Sequence, residues 1–103
     1  MMSNNRKDKH YRITLEEVNS QGQVENTLQF EHTDREDMLK VVDSLRKGSG
    51  LDEAEATKVG VAIRLLGSVM MKDRKHPLFI DFMPAFKVFM QNLKSTVKSA
   101  IAD

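Results

Sequence analysis

The hydrophobic period of this chain changes once, and that change constrains its fold more than any other feature. Between Tyr11 and Phe30 apolar and polar residues alternate on either side of a turn cluster, whereas from Met38 onward apolar residues recur at helical spacing. Tyr11, Ile13 and Leu15 fall on one side of the alternation and Arg12, Thr14 and Glu16 on the other, which predicts a strand over Lys9 to Val18. Asn19-Ser20-Gln21-Gly22-Gln23 has the residues of a turn, with Gly22 available for positive φ. A second alternating run places Val24, Leu28 and Phe30 together, opposite Glu25, Gln29 and Glu31. The two runs make a hairpin with one apolar face. A two-stranded hairpin is marginal in water, so that face is expected to need helices over it.

The rest of the sequence supplies them. Thr33 or Asp34, with Glu36 three positions after Thr33, reads as a capping box. Met38, Leu39, Val41, Val42 and Leu45 give the following helix, about Arg35 to Lys47, its buried side, and Gly48 is expected to end it in the left-handed conformation. Asp52 is the next cap, with Glu53 and Glu55 where the helix dipole favours anions. Val59, Ala62, Ile63, Leu66, Val69 and Met70 carry a second helix from about Glu53 to Lys72. Gly60 and Gly67, close to one face of it, predict close approach of another backbone, that of the third helix before that of a second subunit. His76-Pro77 breaks the pattern. A third stripe then runs through Phe79, Phe82, Met83, Phe86, Phe89, Met90, Leu93, Val97 and Ile101. Pro84 divides it into a short turn at 78–83 and a helix over about 85–100, or kinks one helix. The expected stripe partners are Tyr11, Ile13, Leu28 and Phe30 of the hairpin.

The sum is an α+β fold: an N-terminal antiparallel β-hairpin packed against three helices, ββααα. A flexible basic tail is expected over residues 1–9 and a single domain over residues 10–103. At 103 residues, 40% hydrophobic and 30% charged, the composition is that of one globular core rather than of a disordered or membrane chain. Arg64, Lys72 and Arg74 interrupt the longest apolar stretch well short of the roughly 18 residues that a membrane helix needs. The opening MMSNNRKDKHYR has no apolar segment of the kind a secretory signal carries. With no cysteine there is no thiolate chemistry and no disulfide, and a bacterial cytoplasm is the expected compartment.

Three sequences within the chain carry a resemblance. KHYRITLE at Lys9 to Glu16, VGVAIRLLGSVMMKDRKHPLF at Val59 to Phe79 and PAFKVFMQNLK at Pro84 to Lys94 resemble a small bacterial family catalogued as domain of unknown function 3861. The similarity spans about Lys9 to Lys94, in the order hairpin, helix, helix, PLF segment, helix. It implies a bacterial cytoplasmic protein, and brings with it neither an activity nor catalytic residues. Leu51 and Leu66 stand where the resemblance leads one to expect aromatics, and residues 95–103 extend past it.

Chemistry is sparse. His10, His32 and His76 show no paired metal-ligand spacing. A composite of His32, Asp34 and Asp37 is outweighed by the simpler reading of a solvated histidine beside a capping acid. No serine occupies a nucleophile elbow. KGSG at Lys47 to Gly50 lacks the spacing and preceding strand of a phosphate loop and reads as a helix stop. Glu16 and Glu17 point to opposite faces of a strand and cannot form a dyad. No catalytic residue, cofactor or metal is expected, and the chain is read as a non-enzyme.

Charge supplies the one candidate site. The net charge of +1 divides into +3 over residues 1–12, −7 over residues 13–56 and +5 over residues 57–103. Lys72, Arg74, Lys75 and His76, with Arg64 two turns earlier, form the candidate partner- or anion-binding cluster. The competing reading is that cations at a helix C-terminus are favoured by the dipole whatever the function. Two functions follow. One is a non-catalytic interaction or structural module, whose partner is another protein or a second copy in a homodimer. The alternative is a small nucleic-acid- or anion-binding domain that joins Arg6, Lys7, Lys9 and Arg12 of the tail to Lys72, Arg74 and Lys75.

Overall fold

The computed structural model describes residues 8–102. Most of the expected tail, including Arg6 and Lys7, lies outside the described residues, while Lys9 already belongs to the first strand. The described residues fall into two compact units, divided between Glu36 and Asp37. The first holds strands β1 (Lys9–Val18) and β2 (Val24–Asp34); the second holds helices α1 (Met38–Gly48), α2 (Glu53–Lys72), α3 (Pro77–Ile80) and α4 (Met83–Ala102). Two antiparallel strands followed by helices make the α+β class that the sequence predicts.

The hairpin closes through Asn19. Its Oδ1 accepts from the backbone N–H of Gln21 (2.9 Å) and Gln23 (3.0 Å), and Gly22 completes the turn at a φ of 82° that its lack of Cβ permits. Antiparallel register sets Tyr11 opposite His32, Ile13 opposite Phe30 and Leu15 opposite Leu28, so these apolar residues of both strands share a face, whereas Val24 pairs with Val18 beyond a bulge and leaves it. Across the other face Arg12 meets Glu31 at 3.1 Å, and the Thr14 hydroxyl donates to Gln29 at 3.1 Å. Near the turn a bulge inserts Glu25, since Glu17 pairs with Asn26 but Val18 with Val24.

β2 runs three residues further than its alternation suggests, to Asp34, and this displaces the expected helix cap. Thr33 is a strand residue whose Oγ1 lies 2.8 Å from Nδ1 of its cross-strand partner His10. Asp34 accepts the Glu36 N–H at 2.9 Å in a turn. The N-cap of α1 is Asp37, accepting from Leu39 and Lys40, and the helix starts at Met38. Asp52 caps α2 as expected, accepting from Glu55 at 2.9 Å.

Within the helical unit, Leu45, Ala56 and Ile63 form a buried cluster, and Val41, Val59, Phe86, Met90, Leu93 and Val97 pack against it. Two glycines permit the close crossings. A Cβ on Gly60 would stand 2.9 Å from Val42 Cγ2 and 3.2 Å from its Cα, so the backbone approached there is that of α1, not of the last helix. At Gly67 the nearest atom is Cζ of Phe86 at an ordinary 3.6 Å. The second tight crossing is at Gly48, where a Cβ would lie 3.1 Å from Cα and O of Val97 on α4. Gly48 therefore closes α1 against α4 instead of turning left-handed; the positive φ falls at Gly50. Pro77 and Pro84 each sit at the start of a helix, so the last stripe divides into the one-turn α3 and the long α4.

Candidate functional site

The basic cluster is built on the end of α2. Lys72 is its last residue, and Asp73 caps it with a backbone N–H directed at the carbonyls of Val69 (3.2 Å) and Met70 (3.3 Å). The chain then turns, the His76 N–H reaching the Asp73 carbonyl at 3.1 Å, and enters α3. Here His76 is a capping residue: its Nδ1 accepts the Leu78 N–H at 3.0 Å and its ring meets that of Phe79 at 5.7 Å. That leaves Nε2 as the ring nitrogen not used in the cap. Lys72, Arg74 and Lys75 are exposed and form no ion pair among the described residues.

Arg64 stands apart from them. It is half-buried on α2, its carbonyl accepting the Ser68 hydroxyl at 2.8 Å. Eight residues of helix put it about 12 Å along the axis and roughly 80° around it from Lys72. The candidate residues are therefore three exposed cations and a cap at one helix end, with Arg64 on another part of the surface.

The sequence suggests a solvated His32, but the structure places it beside a buried acid. Asp34 is 2% exposed, and its Oδ2 lies 3.2 Å from His32 Nε2 while Oδ1 holds the Glu36 amide. Tyr11 stacks on the His32 ring, centroids 6.3 Å apart. Both carboxylate oxygens are thus engaged in ordering the end of the hairpin, and Asp37 in capping α1. The signal in the sequence is the strand period of two, which sets His32 and Asp34 on the same face as Leu28 and Phe30 although no apolar residue marks the continuation. Among the described residues no three His, Cys, Asp or Glu side chains come together as a metal site, and no helix is long and apolar enough to cross a membrane.

The other surface feature is apolar. On the hairpin the opposed pair Leu15 and Leu28 is 64% and 58% exposed. On the helical unit Phe82, Phe86 and Phe89 form a chain of rings at 5.7 and 6.5 Å, of which Phe82 and Phe89 are each 45% exposed. Leu51 and Leu66, at the positions where the resemblance predicts aromatics, are also exposed.

These features define an α+β protein made of an N-terminal antiparallel hairpin and a helical unit with exposed apolar side chains on both. The chain belongs to the family described as Domain of Unknown Function with solved-structure structure (DUF3861), whose model matches residues 9–95. It is similar to a crystal structure of a protein of unknown function from Pectobacterium atrosepticum, at 34% identity and a TM-score of 0.75, over 84% of this chain and 97% of that one. No curated protein matches it.

Proposed function

We propose that this chain is a non-catalytic protein-interaction or structural module of the bacterial cytoplasm, with a homodimer as one form of that interaction. The observation that supports this is the clustering of exposed apolar side chains: Leu15 with Leu28 on the hairpin, and Phe82, just before α4, linked through Phe86 to Phe89 on α4. Apolar surface left in clusters is what protein partners cover. The alternative, an anion- or nucleic-acid-binding domain, is favoured by Lys72, Arg74 and Lys75, exposed and without a counter-ion among the described residues.

Salt separates the two. Phosphate contacts weaken steeply as salt rises, while apolar and backbone contacts do not. Light scattering at low and high salt, on protein purified without nuclease, is expected to give a complex that persists at high salt and carries no nucleic-acid absorbance. A monomer from which salt strips bound nucleic acid would reverse the order of the two readings.

A further inference from the structure

Among the described residues the hairpin is a two-stranded sheet, so β1 has β2 on one side and no strand on the other. Alternate backbone N–H and C=O groups along its ten residues point away from β2, the arrangement that invites another strand. The charges of β1 are ordered along its length, with Lys9 and Arg12 in the first half and Glu16 and Glu17 in the second. An antiparallel copy centred on Thr14 brings Arg12 opposite Glu16, Ile13 opposite Leu15 and Thr14 opposite Thr14. Residues equidistant from Thr14 are an even number apart, so each meets a residue of its own face.

The side chains suit this pairing. Arg12 commits only Nε, to Glu31, leaving both terminal nitrogens as donors. The Glu16 side chain is exposed and makes no hydrogen bond or ion pair among the described residues. On the apolar face the pairing makes two rows of four, each running from Leu28 and Leu15 of one copy to Ile13 and Phe30 of the other, which covers the exposed Leu15. β2 offers no such match: it carries Glu25, Glu31 and Asp34 and no lysine or arginine, so two β2 edges would set acids against one another.

We infer that the outer edge of β1 is a self-docking surface, on which two copies of this chain pair β1 to β1 antiparallel about Thr14 into one four-stranded sheet. The inference rests on the interaction-module reading and gives it a partner and an address. Because the chain has no cysteine, a single introduced cysteine can form a disulfide only between chains. In Thr14→Cys the two Cβ atoms would lie about 4.5–5.5 Å apart across the dyad, close to disulfide distance. In Gln29→Cys, on the β2 partner of Thr14, they would be separated by three strand spacings, roughly 14 Å.

Mild oxidation of each variant, after circular dichroism has matched it to the parent chain, is expected to crosslink Thr14→Cys at least about tenfold faster than Gln29→Cys. Glu16→Lys/Glu17→Lys in the Thr14→Cys background should lose the crosslink, and mixing it with Arg12→Glu/Thr14→Cys should restore it as a mixed dimer. Equal rates for the two cysteine variants, or crosslinking unaffected by charge reversal, would overturn the inference. If light scattering nevertheless shows a salt-resistant dimer, the interaction reading stands and only the β1 address falls. A monomeric parent chain, together with a Thr14→Cys variant that does not crosslink, removes both.

Discussion

Two glycines in one helix should respond to the same substitution with opposite sign. Replacing either Gly60 or Gly67 of α2 by alanine restores helix propensity, a gain of about 0.8–1 kcal/mol at an interior position. At Gly67 the new methyl meets Phe86 at 3.6 and 3.7 Å, ordinary contact, so the gain is kept. At Gly60 it would meet Val42 Cγ2 at 2.9 Å and Val42 Cα at 3.2 Å. Val42 is buried in α1 and β-branched, so its methyl cannot swing aside, and its Cα is backbone; one helix must move. Overpacking of this kind costs about 1–3 kcal/mol. Gly60→Ala is thus expected to lose about 1 kcal/mol net while Gly67→Ala gains about the same. Because the propensity term is common to both, the difference between them isolates the steric cost. Urea titration followed by far-ultraviolet circular dichroism should show midpoints moving in opposite directions with unchanged slopes. In a Val42→Ala background the closest contact disappears, so the loss at Gly60 should shrink. If Gly60→Ala stabilises as much as Gly67→Ala, the account of the α1–α2 crossing is wrong.

Two further perturbations address the local devices at the ends of elements. Asp34→Ala removes the acceptor of the Glu36 amide and the partner of His32 from a buried position, and should cost about 2–3 kcal/mol. Asp34→Asn keeps one acceptor and should cost clearly less, and amide exchange at Glu36 reads both; an alanine variant as protected as the parent would refute the assignment. His76→Ala deletes the cap of α3 and should speed exchange of the Leu78 amide about fivefold, the equivalent of 1 kcal/mol, whereas His76→Asn, which also offers an acceptor, should stay near the parent.

Where periodicity and turn chemistry agree, the sequence predicts elements to the residue: β1, the Asn19 to Gln23 turn, the start of β2, and α2 with its Asp52 cap all lie where expected. It misleads where one residue type serves two purposes. Thr33 and Glu36 have capping-box spacing, but a threonine is equally suited to a strand, and its partner His10 across the hairpin settles the competition. Gly48 reads as a helix stop because local sequence contains no trace of Val97, forty-nine positions later, whose backbone is the reason for a missing Cβ. The candidate cluster suffers similarly. Adjacency in sequence does place Lys72, Arg74 and Lys75 together, but counting turns joins Arg64 to them without the angle that separates it. The capping role of His76 depends on the backbone of a one-turn helix that periodicity is too coarse to resolve.

The acidity of β2 also governs how far assembly can proceed. Once two chains share a sheet through β1, both remaining rims are β2 strands, each with the exposed carboxylates of Glu25 and Glu31 and no lysine or arginine. Rim meeting rim is repulsive, and no β1 edge is left exposed for a third chain to extend. The sheet terminates at four strands, a closed pair instead of the open-ended stacking by which exposed strands become fibrils.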